Sequence, residues 1–146
     1  MKVVIQKVKE ASCTVDNKTI SKIDHGLMIL VGFTLGDNKD IISKMALKIV
    51  NLRIFEDENG VMNLSLLNVK GSILSISQFT LYADTKKGNR PSYINAMKGE
   101  EATILYNIFN EELRKYTHVE TGIFGADMDI SLINSGPTTI ILERND

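Results

Sequence analysis

The side chains with reactive chemistry in this chain are few and scattered. Ser77 and Thr80 carry hydroxyls within the run Ser77-Gln78-Phe79-Thr80-Leu81, and the two histidines are His25 and His118. Neither histidine has a sequence relation to the hydroxyls, and a threonine without an adjacent base is a weak nucleophile. The sequence therefore contains no recognisable Ser-His-Asp type of triad.

The single cysteine, Cys13, lies in the alternating run Ala11–Val15. It has no second cysteine with which to form an intrachain disulfide, and cysteine is among the residue types most often buried in strands. A buried strand residue is favoured over a nucleophile, which would need a nearby base. No set of His, Cys, Asp and Glu has the spacing of metal ligands, so we predict neither a metal nor another cofactor.

A proline interrupts two apolar runs near the end of the chain, in Asn134-Ser135-Gly136-Pro137-Thr138-Thr139. Proline cannot donate to a strand ladder, so the sheet must break or bend there. Gly136 lacks the Cβ that would meet the proline ring, and an X-Pro bond adopts the cis form at small cost. The segment is either a tight turn between two strands or a functional loop.

The clearest concentration of positive charge is the run Lys86-Lys87-Gly88-Asn89-Arg90. Because the formal net charge is −1, the chain can bind nucleic acid only by grouping its basic residues locally. The run is either a solvated loop or a contact for phosphates.

The elements that must position these residues indicate an α+β fold in a single domain, residues 1–146. Helices are predicted from Asp37 or Asn38 to about Asn51 and over Glu100–Tyr116, with a long loop at Asp84–Asn95. The predicted strands are Val3–Val8, Ala11–Val15, Lys18–Ile23, Leu27–Phe33, Leu52–Phe55, Ser72–Leu81 and the two that flank Gly136-Pro137. Many are joined by hairpin-like turns, so the sheet is expected to be mostly antiparallel or mixed.

The order and spacing of several motifs resemble those of the D-aminoacyl-tRNA deacylase family over the whole chain. The motifs that carry the resemblance are Met1–Val8, Asn51–Phe55, Ser77–Leu81, Thr121–Met128 and Asn134–Thr139. The resemblance implies a β-barrel-like sheet with two helices, active as a homodimer. It also implies hydrolysis of the ester between a D-amino acid and the 3′ terminal adenosine of tRNA, with glycine mischarged on tRNA as a further substrate.

The resemblance implies that the catalytic residues are Ser77, Gln78, Phe79 and Thr80. An aminoacyl ester is already activated, so an enzyme needs chiefly to place a water and stabilise the oxyanion. Backbone amides near Phe79 and Thr80 could bind the oxyanion while the ribose 2′-hydroxyl organises the water. The alternative is covalent catalysis by Thr80. Gln78 either hydrogen-bonds the adenosine or ribose, or is an outward-facing strand residue.

Substrate binding is implied for Gly136, Pro137, Phe124 and Met128, the dipeptide entering the pocket of a partner subunit. Main-chain atoms there would hold the α-ammonium and exclude an L side chain, whereas glycine would pass. Phe124 and Met128 could equally be ordinary apolar core. Two departures from the family pattern lie nearby: Ser135 stands where aspartate is common, and Lys7 where arginine is common.

The basic residues Lys86, Lys87 and Arg90 are the predicted tRNA contacts. A nucleic-acid-binding module without chemistry and a small-molecule esterase are the competing functions. The composition, 43% hydrophobic and 24% charged, is that of a soluble globular protein. No apolar run reaches the roughly 18 residues of a membrane helix, so we expect a cytoplasmic protein without membrane association.

Overall fold

The computed structural model describes residues 1–146 as a nearly closed, mixed sheet with helices packed on one face. The strands are β1 (Lys2–Val15), β2 (Lys18–Ile23), β3 (Gly26–Gly32), β4 (Phe55–Glu56), β5 (Met62–Leu64), β6 (Ser72–Ser77), β7 (Val119–Thr121) and β8 (Asp129–Glu143). The helices are α1 (Lys39–Asn51), α2 (Leu66–Val69), α3 (Gly99–Arg114) and a 3₁₀ helix (Phe79–Tyr82). The predicted α+β class is confirmed, and α1 and α3 are the two predicted helices.

The long strand β1 organises the sheet. One edge pairs with β3 over Lys2–Val8 and with β2 over Ala11–Val15, both antiparallel. The other edge pairs with β8 along nearly its whole length. The order β2-β1-β3-β6-β7 then continues through two parallel pairs, β3 with β6 and β6 with β7. The two predicted strands Val3–Val8 and Ala11–Val15 are therefore one element.

Two hydrophobic clusters lie on opposite faces of the sheet. The larger joins α1 and α3 to strand residues such as Val3, Ile5 and Ile29, and the smaller includes Cys13, Met28 and Leu74. Strand β3 contributes to both clusters, which explains its continuous apolar sequence. Cys13 is fully buried in β1, as its strand position predicted, and burial raises the pKa of its thiol.

Helix α1 begins where the sequence predicted. The side chain of Asn38 caps it by accepting a hydrogen bond from the backbone N–H of Ile41 at 3.0 Å. The predicted strand Leu52–Phe55 is displaced, because Leu52 is the C-cap of α1 and β4 starts only at Phe55. The four-residue α2 was not predicted. None of the helices is both long and apolar enough to cross a membrane.

The predicted strand Ser72–Leu81 is wrong in its second half. Strand β6 ends at Ser77, and Phe79–Tyr82 form the 3₁₀ helix. Periodicity could not separate the two because Phe79 and Leu81 continue the apolar spacing while their backbone turns away from the sheet.

The segment around Gly136-Pro137 is a bulge within one strand rather than a turn between two. Gln6 pairs with Thr139 and Val8 pairs with Asn134, so the four residues 135–138 oppose Lys7 alone. The strand thus bends outward without leaving the sheet, which satisfies the prediction that proline disrupts the ladder locally.

Candidate active site

A pocket of about 250 Å³ opens where β6 ends. Its walls come from two segments, the end of β6 with the following turn and the loop between β7 and β8. The lining includes Ser77, Gln78, Phe79, Phe124 and Met128. The structure therefore brings together three of the predicted catalytic residues and two of the predicted substrate-binding residues.

The turn at Gln78 is fixed against the neighbouring strand. The backbone N–H of Gln78 donates to the carbonyl of Val31 at 2.7 Å. A Cβ built on Gly32 would lie 2.9 Å from the carbonyl oxygen of Gln78, closer than a side chain permits. Gly32 is thus required for this close approach, a role that its place in an apolar run did not reveal.

The 3₁₀ helix leaves two amide groups without an acceptor inside the helix. The first internal bond is donated by Leu81 to the carbonyl of Gln78 at 3.3 Å. The N–H groups of Phe79 and Thr80 precede it, in the positions that a helix start leaves unsatisfied. Phe79 is 54% exposed, and its ring meets Tyr93 edge-on at 4.9 Å between centroids.

No side chain that could act as a general base hydrogen-bonds the hydroxyl of Thr80. Its oxygen accepts a hydrogen bond from the side-chain amide of Gln78, which is not a base. His25 packs edge-on against Phe55, and His118 lies 3.2 Å from a carboxylate oxygen of Glu120. Neither histidine lines the pocket. The arrangement offers backbone donors and an oriented amide rather than an activated nucleophile.

The loop between β7 and β8 brings Phe124 and Met128 to the pocket. It starts at Gly122, whose Cβ, if present, would lie 2.5 Å from the sulfur of Met128 and 3.1 Å from a methyl carbon of Ile76. Glycine therefore lets Met128 pack directly over β6. Phe124 and Met128 also pack against the two hydrophobic clusters, so they contribute to apolar packing, and binding of substrate by them stays a prediction.

The Gly136-Pro137 dipeptide lies away from this pocket within one chain. Its peptide bond is cis, a form that an X-Pro linkage adopts at small cost. Following the strand pairing from β6 through β3 and β1 to β8, Ser77 is level with Leu142. The bulge, which lies opposite Lys7, is level with Ile73 of β6. Ser77 and the bulge are thus four residues apart along the strand direction, about 13 Å, and three strands apart across the sheet, about 14 Å. Gly136 instead borders a cavity of about 340 Å³ with Lys7 and His25.

Comparison with known proteins assigns this arrangement to a family. The profile of the family described as D-Tyr-tRNA(Tyr) deacylase matches residues 4–143. The chain belongs to the D-Tyr-tRNA(Tyr) deacylase family. The resemblance found in the motifs is confirmed, and so is the prediction that the chain is an enzyme.

Relatives of this deacylase chain match it end to end. It is 58% identical to a D-aminoacyl-tRNA deacylase of Bacillus cytotoxicus and 56% identical to one of Lactobacillus gasseri, each covering 98% of this chain and 99% of the relative. A solved structure named c-Myc DNA Unwinding Element Binding Protein is 42% identical, with a TM-score of 0.94 and 99% coverage of both chains. A probable eukaryotic D-amino acid tRNA deacylase shares the fold at 17% identity, with a TM-score of 0.84 and 97% coverage of both chains.

The structure accommodates lysine at position 7, where arginine is common in the deacylase family. Lys7 is buried, and its ammonium donates to the carbonyl of Ile54 at 3.3 Å and lies 5.9 Å from the centre of the Phe55 ring. The bulge opposite is braced by Asn134, whose side-chain amide donates to the carbonyls of Lys7 at 3.0 Å and Thr138 at 2.9 Å. Asn134 belongs to the motif Asn134–Thr139, but the sequence alone indicated no role for it.

The predicted tRNA contacts of the deacylase lie in an exposed, irregular segment. Lys86, Lys87 and Arg90 are all exposed, and none forms a salt bridge. Lys86 also borders a cavity of about 460 Å³ together with Lys2, which contains none of the predicted catalytic residues. The segment follows the 3₁₀ helix directly, so its free positive charges lie a short distance along the chain from the pocket.

Proposed function

We propose that this protein hydrolyses the ester of D-aminoacyl-tRNA in the cytoplasm, where charged tRNA is made and used. The observation that carries the proposal is the pocket at the end of β6, where Gln78 and Phe79 meet Phe124 and Met128. Family membership and the two deacylase relatives above 50% identity support the substrate class. Glycine mischarged on tRNA is a second substrate under the same proposal, since it carries no side chain to exclude.

In the proposed mechanism water attacks the ester carbonyl carbon, and the amides of Phe79 and Thr80 donate to the oxyanion that forms. Collapse of the oxyanion breaks the bond to the ribose 3′ oxygen, which takes up the proton that the water loses. The ribose 2′-hydroxyl of the terminal adenosine orients that water. The Thr80 hydroxyl is hydrogen-bonded by the Gln78 amide, which cannot remove its proton, and this supports the mechanism over an acyl-enzyme. Gln78 holds the Thr80 hydroxyl and so fixes the turn that presents the two amides.

The substitution Phe79→Pro tests whether the backbone N–H of residue 79 donates to the oxyanion. Proline suits the first position of a helix and removes the N–H there, and Gln78, at φ −149° and ψ 85°, lies outside the α region that a following proline disfavours. Phe79→Ala is the control for loss of the aromatic ring. We expect Phe79→Pro to be slower than Phe79→Ala by about 10²–10³ in kcat. Equal rates would exclude the amide of residue 79 as a donor.

We further propose that the active unit is a homodimer in which Gly136-Pro137 of one subunit completes the pocket of the other. The open edge of β8 supports this, because β8 pairs only with β1 and presents Ile133 and Ile141 at 48% and 66% exposure. Within one chain the dipeptide is too distant from the pocket to contact a substrate bound there. In the dimer its main-chain atoms exclude an L side chain and leave room for a D side chain.

Mixed dimers test whether the site is shared. Gly136→Ala damages the dipeptide and Phe79→Pro damages the pocket, so each homodimer is expected to have little activity. When the two variants are unfolded and refolded together, a shared site predicts recovered activity because one pocket in each mixed dimer is intact. No recovery in demonstrably mixed dimers would contradict the shared site.

A binding function without hydrolysis is the second candidate. It is favoured by the structural likeness to a protein named for binding a DNA unwinding element at 42% identity. A binding module would retain aminoacyl-tRNA or DNA without releasing an amino acid. Measuring release of labelled amino acid alongside binding separates the two, since the deacylase proposal requires turnover with enzyme far below substrate concentration.

A further inference from the structure

Tyr106 connects helix α3 to the strand that leads into the pocket. Its side chain is only 3% exposed, and its hydroxyl donates to the carbonyl of Ser75 at 2.6 Å. Ser75 lies in β6 two residues before Ser77, where the pocket begins. This hydrogen bond is buried and joins residues 31 positions apart in the chain.

The same carbonyl also holds the second wall of the pocket. The backbone N–H of Gly122 donates to the Ser75 oxygen at 3.3 Å, immediately before the loop that carries Phe124 and Met128. The Tyr106 ring itself lies 5.8 Å from the Phe124 ring, between centroids, at a tilt of 53°. One side chain therefore contacts both segments that line the pocket, although Tyr106 does not line the pocket itself.

The Tyr106 hydroxyl retains its proton and therefore acts as a neutral hydrogen-bond donor. Burial raises the pKa of Tyr106 above its ordinary value. A tyrosine whose pKa exceeds its ordinary value of about 10 carries its proton throughout the neutral range. It consequently donates to the Ser75 carbonyl at any working pH, and it is unsuited to transfer a proton in the reaction.

We propose that Tyr106 is a positioning residue for the pocket. Through the Ser75 carbonyl and the Phe124 ring, it fixes the separation between the end of β6 and the Gly122–Met128 loop. This inference rests on the proposed function in so far as the pocket is the site of hydrolysis. Small displacements matter there, since a misplacement of about 1 Å can cost about 10²-fold in rate.

Replacing Tyr106 with phenylalanine separates positioning from packing. The variant keeps the ring against Phe124 and removes only the hydroxyl that reaches Ser75. Tyr116→Phe is the matched control, because Tyr116 lies just beyond the same helix, is partly exposed and makes no side-chain hydrogen bond. We expect Tyr106→Phe to lower kcat on D-aminoacyl-tRNA by about 10-fold or more, with KM unchanged, at temperatures well below both melting points.

A merely structural role predicts a different pattern. Tyr106→Phe would then melt at a lower temperature but match Tyr116→Phe in kcat for each folded molecule, and that result would overturn the proposal. Rescue of stability by added osmolyte should leave the kcat defect in place if Tyr106 positions the pocket.

Hydrogen exchange gives a readout that does not depend on the reaction. In Tyr106→Phe we expect faster amide exchange over residues 122–128 and unchanged exchange in α1, compared with the wild-type protein. Unchanged exchange over 122–128 would overturn the positioning role. If the wild-type protein lacked deacylase activity, the proposed function would fail while this comparison still decided whether Tyr106 holds the loop.

Discussion

Asn134 in β8 reaches across the sheet to the backbone of Lys7, to which its side-chain amide donates a hydrogen bond of 3.0 Å. The same nitrogen donates to the carbonyl of Thr138 at 2.9 Å, on the other side of the Gly136-Pro137 bulge. One amide group thus closes the base of the bulge and ties it to β1. The shape of the bulge depends on this side chain as well as on the glycine and proline.

Asn134→Asp should therefore be more damaging than Asn134→Ala. Alanine removes three hydrogen bonds, the two that Asn134 donates and the one that it accepts from the Thr139 hydroxyl, and leaves two partly buried carbonyls, at a cost of about 1–3 kcal/mol in the free energy of unfolding. Aspartate has nearly the same shape but cannot donate when ionised, and its charge faces the two carbonyl oxygens. Denaturant unfolding and hydrolysis of D-aminoacyl-tRNA measure both effects. Wild-type stability and activity in Asn134→Asp would show that the amide does not brace the bulge.

Thr80→Ala is expected to keep substantial deacylase activity. The proposed donors are backbone amides, and the Thr80 hydroxyl is held by Gln78 rather than by a base. Thr80→Ser, which retains the hydroxyl, is the control for changes in the turn. A folded Thr80→Ala protein with no activity beside an active Thr80→Ser protein would favour the nucleophile, and an acyl-enzyme trapped on Thr80 and detected by mass spectrometry would establish it.

Gly136→Ala should impair turnover of D-substrates while leaving the fold intact. Gly136 has a φ of +113°, and an added Cβ would lie 2.8 Å from the Thr138 hydroxyl oxygen. A strained backbone of this kind costs about 1–3 kcal/mol. Gly60→Ala is the control for positive φ alone, because Gly60 has a φ of +73° and nothing within 4 Å of its Cβ position. Equal hydrolysis rates in the two variants would exclude a special role for residue 136.

Removing the positive charges of Lys86, Lys87 and Arg90 together, as glutamines, should weaken binding of all tRNA species. The slope of log affinity against log salt should become shallower by about 0.7–0.9 for every phosphate that the variant no longer neutralises. The control removes the same total charge from α1 by changing Lys39, Lys44 and Lys48, which are also exposed. If both triple variants show the wild-type slope, this segment does not bind phosphates.

Much of the architecture could be predicted because its sequence signals are local. Asn38 and the apolar spacing after it defined α1, and the unbroken apolar run 27–33 defined the buried strand β3. The 3₁₀ helix escaped prediction because Phe79 and Leu81 continue a strand-like pattern, so only the backbone distinguishes the two structures.

The sequence motifs indicated which segments meet at the pocket but not what supports them. Ser77 to Phe79 lie beside Phe124 and Met128, as the motifs implied. Gly32 and Gly122 are required by close approaches between distant segments, and Tyr106 acts through a bond to Ser75 that spans 31 residues. Such long-range contacts leave no periodic signal in a single sequence.

Hydrolysis of matched D- and L-aminoacyl-tRNA by the purified protein tests the central claim most directly. The same tRNA is charged with D-tyrosine, L-tyrosine or glycine, and release of the amino acid is followed with enzyme well below substrate concentration. The proposed exclusion of an L side chain by main-chain atoms predicts rapid release of D-tyrosine and glycine, with L-tyrosyl-tRNA left intact. Equal release of D- and L-tyrosine, or release of neither, would contradict the account.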